Sequence, residues 1–174
     1  GEALDYAARG KRGLNFHDAR ATLTRAYPFA DLNADAIANA RRFVAAGVGK
    51  GDRVALVAET SAEFAQLFFG VVLAGAWPVP LPLPTSFGGK SSYVDQLRVQ
   101  LASCDPAMLI YPAEIAAMAG EAAAIAGVPG IAWEEFLTRT APDATLPAAA
   151  ADPTARFIWS VSYTHLTLPT SDLV

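Results

Sequence analysis

The sequence predicts an α/β fold built on a largely parallel sheet. Three observations carry that prediction. Helical and extended segments alternate along most of the chain. "RVALVA", residues 53–58, is a short and nearly continuous apolar run, the pattern of a strand buried on both faces. Glycine, proline and Asp-Pro punctuate the intervals between segments. With 174 residues, 53% of them hydrophobic, the chain can bury one sizeable core, as a single domain or part of a larger one.

Residues 2–9 read as a short helix ended near Gly10. "GLNFHDARATLTRAY" alternates apolar and polar residues around "DARAT", which predicts a hairpin. Pro28 is placed to open the next helix as its first residue. Phe29, Leu32, Ala36, Ala40 and Phe43 then recur at helical spacing and form one apolar stripe. Asp31 and Asp35 come early and Arg41 and Arg42 late, as the helix dipole favours. "GVGKGD" ends this helix before the "RVALVA" strand.

Thr60 and Glu63 predict a capping box for the following helix. That helix carries Phe64, Leu67, Phe68, Val71 and Val72 on one face and Ala65, Phe69 and Leu73 on the other. Such a helix is expected to be buried on most sides, between the sheet and another layer of a larger protein. Gly75 stops it. "WPVPLPLP" follows as a strand whose prolines confine it to an edge or an extended run. "SSYVDQLRVQLASC" is amphipathic through Tyr93, Leu97, Leu101 and Cys104. Asp105-Pro106 turns the chain into strand "AMLIYP". A helix over 113–126, a strand at 130–132 and a helix at 133–138 complete the pattern. "RFIWS", 156–160, begins a further strand after a loop.

Two glycine-bearing stretches invite a phosphate-loop reading. A Walker loop ending in Gly89-Lys90-Ser91 needs glycine at position 84, where Pro84 stands without an N–H to offer. Gly47-Val48-Gly49-Lys50-Gly51 follows a helix and precedes a strand, the reverse of a dinucleotide loop, and reads as a C-cap and turn. Other chemistry is equally thin. No G-x-S-x-G elbow is present. His17 in a hairpin reads as a surface or core-edge residue, Cys104 as packing, Glu134-Glu135 as a solvated helix start and Lys90 as a solvated loop lysine. Acidic residues are scattered without a metal-ligand pattern, so no metal site, catalytic residue or cofactor-binding residue is assigned.

A net charge of -4 offers no basic field for nucleic acid. One cysteine fits a reducing cytosol. Neither a signal-like apolar core nor a membrane-span run of about 18 apolar residues is found. A cytoplasmic protein is expected.

Residues 161–174, "VSYTHLTLPTSDLV", depart from the pattern. Read back into codons, GTC TCT TAT ACA CAT CTG ACG CTG CCG ACG encodes residues 161–170, and those bases resemble the transposase adaptor of sequencing-library preparation. The tail is therefore read as adaptor read-through, to be excluded from fold reasoning; the other reading is a genuine C-terminal strand.

Several stretches resemble the N-terminal part of the large domain of the adenylate-forming superfamily, its fatty-acyl-AMP ligase branch most closely. "LTRAYPFADL", with Tyr27 and Leu32, resembles that superfamily's first core motif. "VLAGAWPVPLPLP", with Gly75, Pro80 and Pro82, resembles the second. "GVGKGDRVALVAETSAEFAQLFFG" is similar to the segment between them. The most specific match is "LPLPTSFGGKSSYVDQLRVQLASCDPAMLIYP". The resemblance assigns residues 1–160 to a partial adenylation (AMP-binding) domain. It makes the stretch around Ser86, Phe87, Gly88 and Gly89 a fold-defining turn bordering an acyl tunnel.

The resemblance also implies that the intact parent uses ATP and magnesium to convert a fatty acid into an acyl-adenylate and pyrophosphate. The acyl group then passes to an acyl-carrier protein. The family's phosphate loop follows a strand like "RFIWS", where this sequence departs at Val161, so no catalytic residue carries over and the fragment is expected to be inactive. A fatty-acyl-CoA synthetase parent and a non-catalytic α/β interaction module remain the alternatives.

Overall fold

A computed structural model describes residues 2–84, 89–143 and 145–147. Helix α1 (Glu2–Ala8) leads into strands β1 (Gly13–His17) and β2 (Leu23–Pro28) and helix α2 (Phe29–Ala45). Then come β3 (Arg53–Val57), α3 (Ala62–Leu73), β4 (Trp77–Leu81), α4 (Lys90–Cys104) and β5 (Met108–Tyr111). A 3-10 turn at Ala113–Ile115, α5 (Ala116–Ala126), β6 (Gly130–Ala132) and α6 (Trp133–Thr138) follow. "RFIWS" and the tail at 161–174 lie outside the described residues.

β3 to β6 form one parallel sheet in the order β4-β3-β5-β6, and β1 and β2 form a separate antiparallel hairpin. Side chains alternate across the sheet, so each face needs its own apolar set. Val54, Leu56, Met108 and Ile110 pack with Phe43, Leu67, Val71 and Phe136 from α2, α3 and α6. Ala55, Val57, Leu109 and Tyr111 pack with Leu97, Leu101, Ala119 and Ala122 from α4 and α5. Helices on both faces explain why "RVALVA" has no polar alternation. The strand order follows from right-handed crossovers. From β3 the chain steps to β4 over the α3 face, then returns past β3 to β5 over the opposite, α4 face.

Among the described residues β4 is an edge strand, which suits its prolines. The Trp77 N–H donates to the Asp52 carbonyl at 2.7 Å, and the Leu81 carbonyl accepts from the Ala58 N–H at 2.7 Å. Residues 77, 79 and 81 thus turn their backbone groups toward β3. Pro78 and Pro80 fall at the intervening positions, whose nitrogens face the open edge.

The stripe on α2 is buried: Leu32, Ala36, Ala40 and Phe43 are inaccessible to solvent, with Phe29 half-buried. Pro28 stands one position earlier than expected. It ends β2 and occupies the N-cap of α2 in extended conformation, where its missing N–H costs nothing.

Two expectations for α3 need correction. Its cap is Ser61, not Thr60: the Ser61 Oγ accepts from the Phe64 N–H at 3.1 Å, while the Glu63 carboxylate reaches away to Arg25 at 2.7 Å. The layer that covers it is α2 of this same chain. Gly70 allows that contact, since a Cβ there would lie 2.7 Å from the Asn39 Cβ and 3.3 Å from the Ala36 carbonyl oxygen. At this crossing the buried Asn39 amide donates to Gln66 at 3.0 Å and accepts from Arg42 at 2.7 Å, so its polar atoms are satisfied.

Candidate functional site

Ligands of open parallel sheets bind beyond the carboxyl ends of the strands, where neighbouring connections leave toward opposite faces. Here β3 leads to α3 on one face, while its neighbours β4 and β5 lead to α4 and α5 on the other. The connections therefore diverge at residues 58–61, directly after the buried strand.

Glu59 stands at this point. Burial, followed by the nearby carboxylates of Glu114, Glu63 and Glu134, raises its pKa above the ordinary value. Glu63 is engaged by Arg25 at 2.7 Å. Glu134 accepts from the Ala113 N–H at 3.1 Å and from the Trp133 Nε1–H at 2.7 Å. It therefore stitches the exit of β5 to the junction of β6 and α6, a role beyond that of a solvated helix start. Beside this edge, α4 and α5 flank a groove of about 430 Å³. Val94, Ile115 and Met118 supply its apolar wall; Lys90, Asp95, Glu114 and Glu121 line it with charge.

The motif residues separate into three places. Tyr27 and Leu32 share the cluster that joins the hairpin to α2 and α3. The Tyr27 hydroxyl donates to Asp35 at 2.6 Å, and the Arg25 guanidinium lies 4.7 Å from the centre of the Tyr27 ring. Burial first, and then the Asp35 carboxylate, push the Tyr27 phenol far above its usual range. Gly75 sits at the amino end of the sheet with φ +79°, a left-handed conformation that favours glycine; an added Cβ would also approach Pro147 at 3.3 Å. Pro80 lies within β4, and Pro82 just past its carboxyl end, where its carbonyl accepts from the Tyr93 hydroxyl at 3.1 Å.

Of the stretch read as a tunnel border, Ser86, Phe87 and Gly88 lie outside the described residues. Gly89 is the N-cap of α4, with open space where a Cβ would point. Lys90 is the first residue of that helix, exposed at the groove. His17 is exposed on β1, and Cys104 is buried with its thiol pKa raised by burial, so neither has a catalytic setting. The sequence alone does not single out Glu59 or Arg25, and it offers Tyr93 only as a packing residue, not as the donor to Pro82. Only Glu59 had a signal to follow, its place immediately after a buried parallel strand.

Among the described residues no group of three or more His, Cys, Asp or Glu side chains could hold a metal ion. No chemical step is assigned to the described residues.

Comparison with known proteins agrees with the fold. The family model for AMP-binding enzymes matches residues 10–164. A Caulobacter vibrioides (strain NA1000 / CB15N) protein provisionally named an acyl-CoA synthetase is 42% identical over 134 residues, which is 73% of this chain and 23% of that protein. A structure from structural and functional studies of fatty acyl-adenylate ligases from E. coli and L. pneumophila superposes with a TM-score of 0.79 at 37% identity. The match covers 84% of this chain and 26% of that one. O-succinylbenzoate coenzyme A synthetase from Bacillus subtilis, in complex with AMP, shares the fold with a TM-score of 0.66 at 22% identity, covering 83% of this chain and 34% of its own. The chain spans roughly a quarter of the length of the first two relatives. With its parallel sheet and the family match across most of its length, the chain belongs to the AMP-binding enzyme family.

Proposed function

We propose that residues 1–160 are the N-terminal part of the adenylation domain of a cytoplasmic fatty-acyl-AMP ligase. The intact parent activates a fatty acid with ATP and magnesium, releases pyrophosphate, and passes the acyl group to the thiol of an acyl-carrier protein. The observation that carries this reading is the 37% identical superposition on a fatty acyl-adenylate ligase study structure, taken with the specific "TSFGGKSSY" stretch. Nucleotide, metal and catalytic lysine belong to segments beyond residue 160, so the fragment by itself is inactive. Ser86, Phe87, Gly88 and Gly89 border the acyl tunnel in this reading, supported by the place of Gly89 at the carboxyl edge beside the groove.

A second reading, a fatty-acyl-CoA synthetase parent, is favoured by the name of the 42% identical relative. A non-catalytic interaction module is the third. Residues 161–174 are adaptor read-through in the leading reading, although the family match itself extends to residue 164. Sequencing the locus past the codon for Ser160 separates the two enzyme readings from the module. A Ser/Thr/Gly-rich phosphate loop supports the enzyme fragment, and a stop codon supports the module. ATP–pyrophosphate exchange on the 174-residue chain is expected to be nil; fatty-acid-dependent exchange contradicts the inactivity.

A further inference from the structure

The turn between α1 and β1 builds a second pocket, on the hairpin side of the fold. Residues 9 and 10 fold back on α1, with the Arg9 N–H donating to the Tyr6 carbonyl at 3.2 Å and the Gly10 N–H to the Ala7 carbonyl at 3.0 Å. The Phe29 N–H donates to the Arg12 carbonyl at 2.9 Å, which ties this turn to the start of α2. The result is a cavity of about 390 Å³ lined by Tyr6, Arg9, Lys11, Arg12 and Phe29.

Its charge runs against the composition. The chain carries a net charge of -4, yet three cations and no carboxylate line this pocket. Arg9 is held in place by Asp5 at 2.7 Å, the i,i+4 partner on its own helix. Among the described residues no carboxylate pairs with Lys11 or Arg12. Tyr6 is 78% exposed, an unusual position for an aromatic ring, and Phe29 is half-buried beneath. Unpaired cations beside an accessible ring form a recognition pattern for an anion that carries a flat or apolar body. The volume falls within the range of small-molecule sites, roughly 300–1,000 Å³.

We propose that this pocket binds a phosphate monoester with an aromatic or apolar body. Lys11 and Arg12 contact the phosphate, Arg9 supports them, and the ligand body rests against Tyr6 and Phe29. The phosphate can come from a free small molecule or from a lipid headgroup. The proposal does not depend on the fatty-acyl-AMP ligase reading.

Three probes test it on the 174-residue chain: inorganic phosphate, phenyl phosphate, and phosphatidylcholine vesicles doped with phosphatidic acid. Equilibrium dialysis measures the first two and co-sedimentation the third. Phenyl phosphate is expected to bind more tightly than inorganic phosphate. The double variant Lys11→Glu, Arg12→Glu is expected to weaken it by at least about tenfold, with Lys90→Glu unchanged. Binding of phenyl phosphate assigns the site to free phosphate monoesters. Binding of doped vesicles alone, lost in the same double variant, assigns it to a headgroup. Both support the proposal. Binding of no probe, or binding indifferent to the Lys11 and Arg12 reversals, overturns it. The reversed side chains are exposed, and a circular dichroism melt confirms that each variant folds.

Discussion

The Tyr93 hydroxyl donates to the Pro82 carbonyl at 3.1 Å and so ties the first turn of α4 to the exit of β4, on either side of residues 85–88. Burial pushes this phenol up to about 12 from its ordinary 10.0. A group whose pKa rises on folding contributes stability that is complete below its unfolded value and disappears as pH climbs through the folded one. Thermal melts of the chain are therefore expected to lose stability between pH 10 and about 12. Tyr93→Phe is expected to lose about 1 kcal/mol at neutral pH and to flatten that alkaline decline. An unchanged alkaline profile in the variant contradicts the assignment.

The start of α3 gives a paired test. Ser61 caps the helix by accepting from the Phe64 N–H, and Thr60 makes no such contact. Ser61→Ala is expected to cost about 1 kcal/mol in urea unfolding, while Thr60→Ala stays near zero. Equal losses at both positions contradict the observed cap.

Gly70 sets the separation of α2 and α3. Alanine in a helix gains about 1 kcal/mol of propensity over glycine. Here, however, the added Cβ meets the Asn39 Cβ at 2.7 Å, and a Cβ cannot swing aside as a flexible side-chain end does. Overpacking of this kind costs about 1–3 kcal/mol, so Gly70→Ala is expected to destabilise the chain despite better propensity. A stabilised variant, read from the denaturation midpoint, contradicts the close approach.

At the carboxyl edge the sign of the pH effect is opposite to the usual carboxylate case. Burial and the carboxylates of Glu114, Glu63 and Glu134 raise Glu59 above its ordinary 4.5. The folded chain thus holds this proton more tightly than the unfolded chain does. Stability linked to Glu59 is complete below pH 4.5 and falls as pH rises through the raised value. Glu59→Gln is expected to melt higher than the parent chain at neutral pH, with the difference vanishing toward acid. A variant that melts lower at neutral pH contradicts the crowding of charge.

The elements were largely legible because each carried a local pattern. The stripe from Leu32 to Phe43, the unbroken "RVALVA" run and the prolines of β4 are all written in short-range spacing, and the sheet buries what they predict. Thr60-x-x-Glu63 has capping-box spacing, yet Ser61 is the cap. A long-range pull decided otherwise, since Arg25, far away in sequence, draws the Glu63 carboxylate outward. The same limit hid Asn39–Gln66, Tyr93–Pro82 and the bonds to Glu134, each of which joins elements that meet only after folding. The site itself was the least legible part. Its residues lie on four separate strand exits, and no single stretch of sequence contains them.

Product analysis of the intact parent bears on the proposed reaction more directly than any variant of this chain. Purified parent protein is incubated with a long-chain fatty acid, ATP and magnesium, with coenzyme A in one arm and a holo acyl-carrier protein in the other. A fatty-acyl-AMP ligase produces acyl-adenylate and acylates the carrier protein without forming acyl-CoA. Formation of acyl-CoA as the main product, or absence of any adenylate, contradicts it.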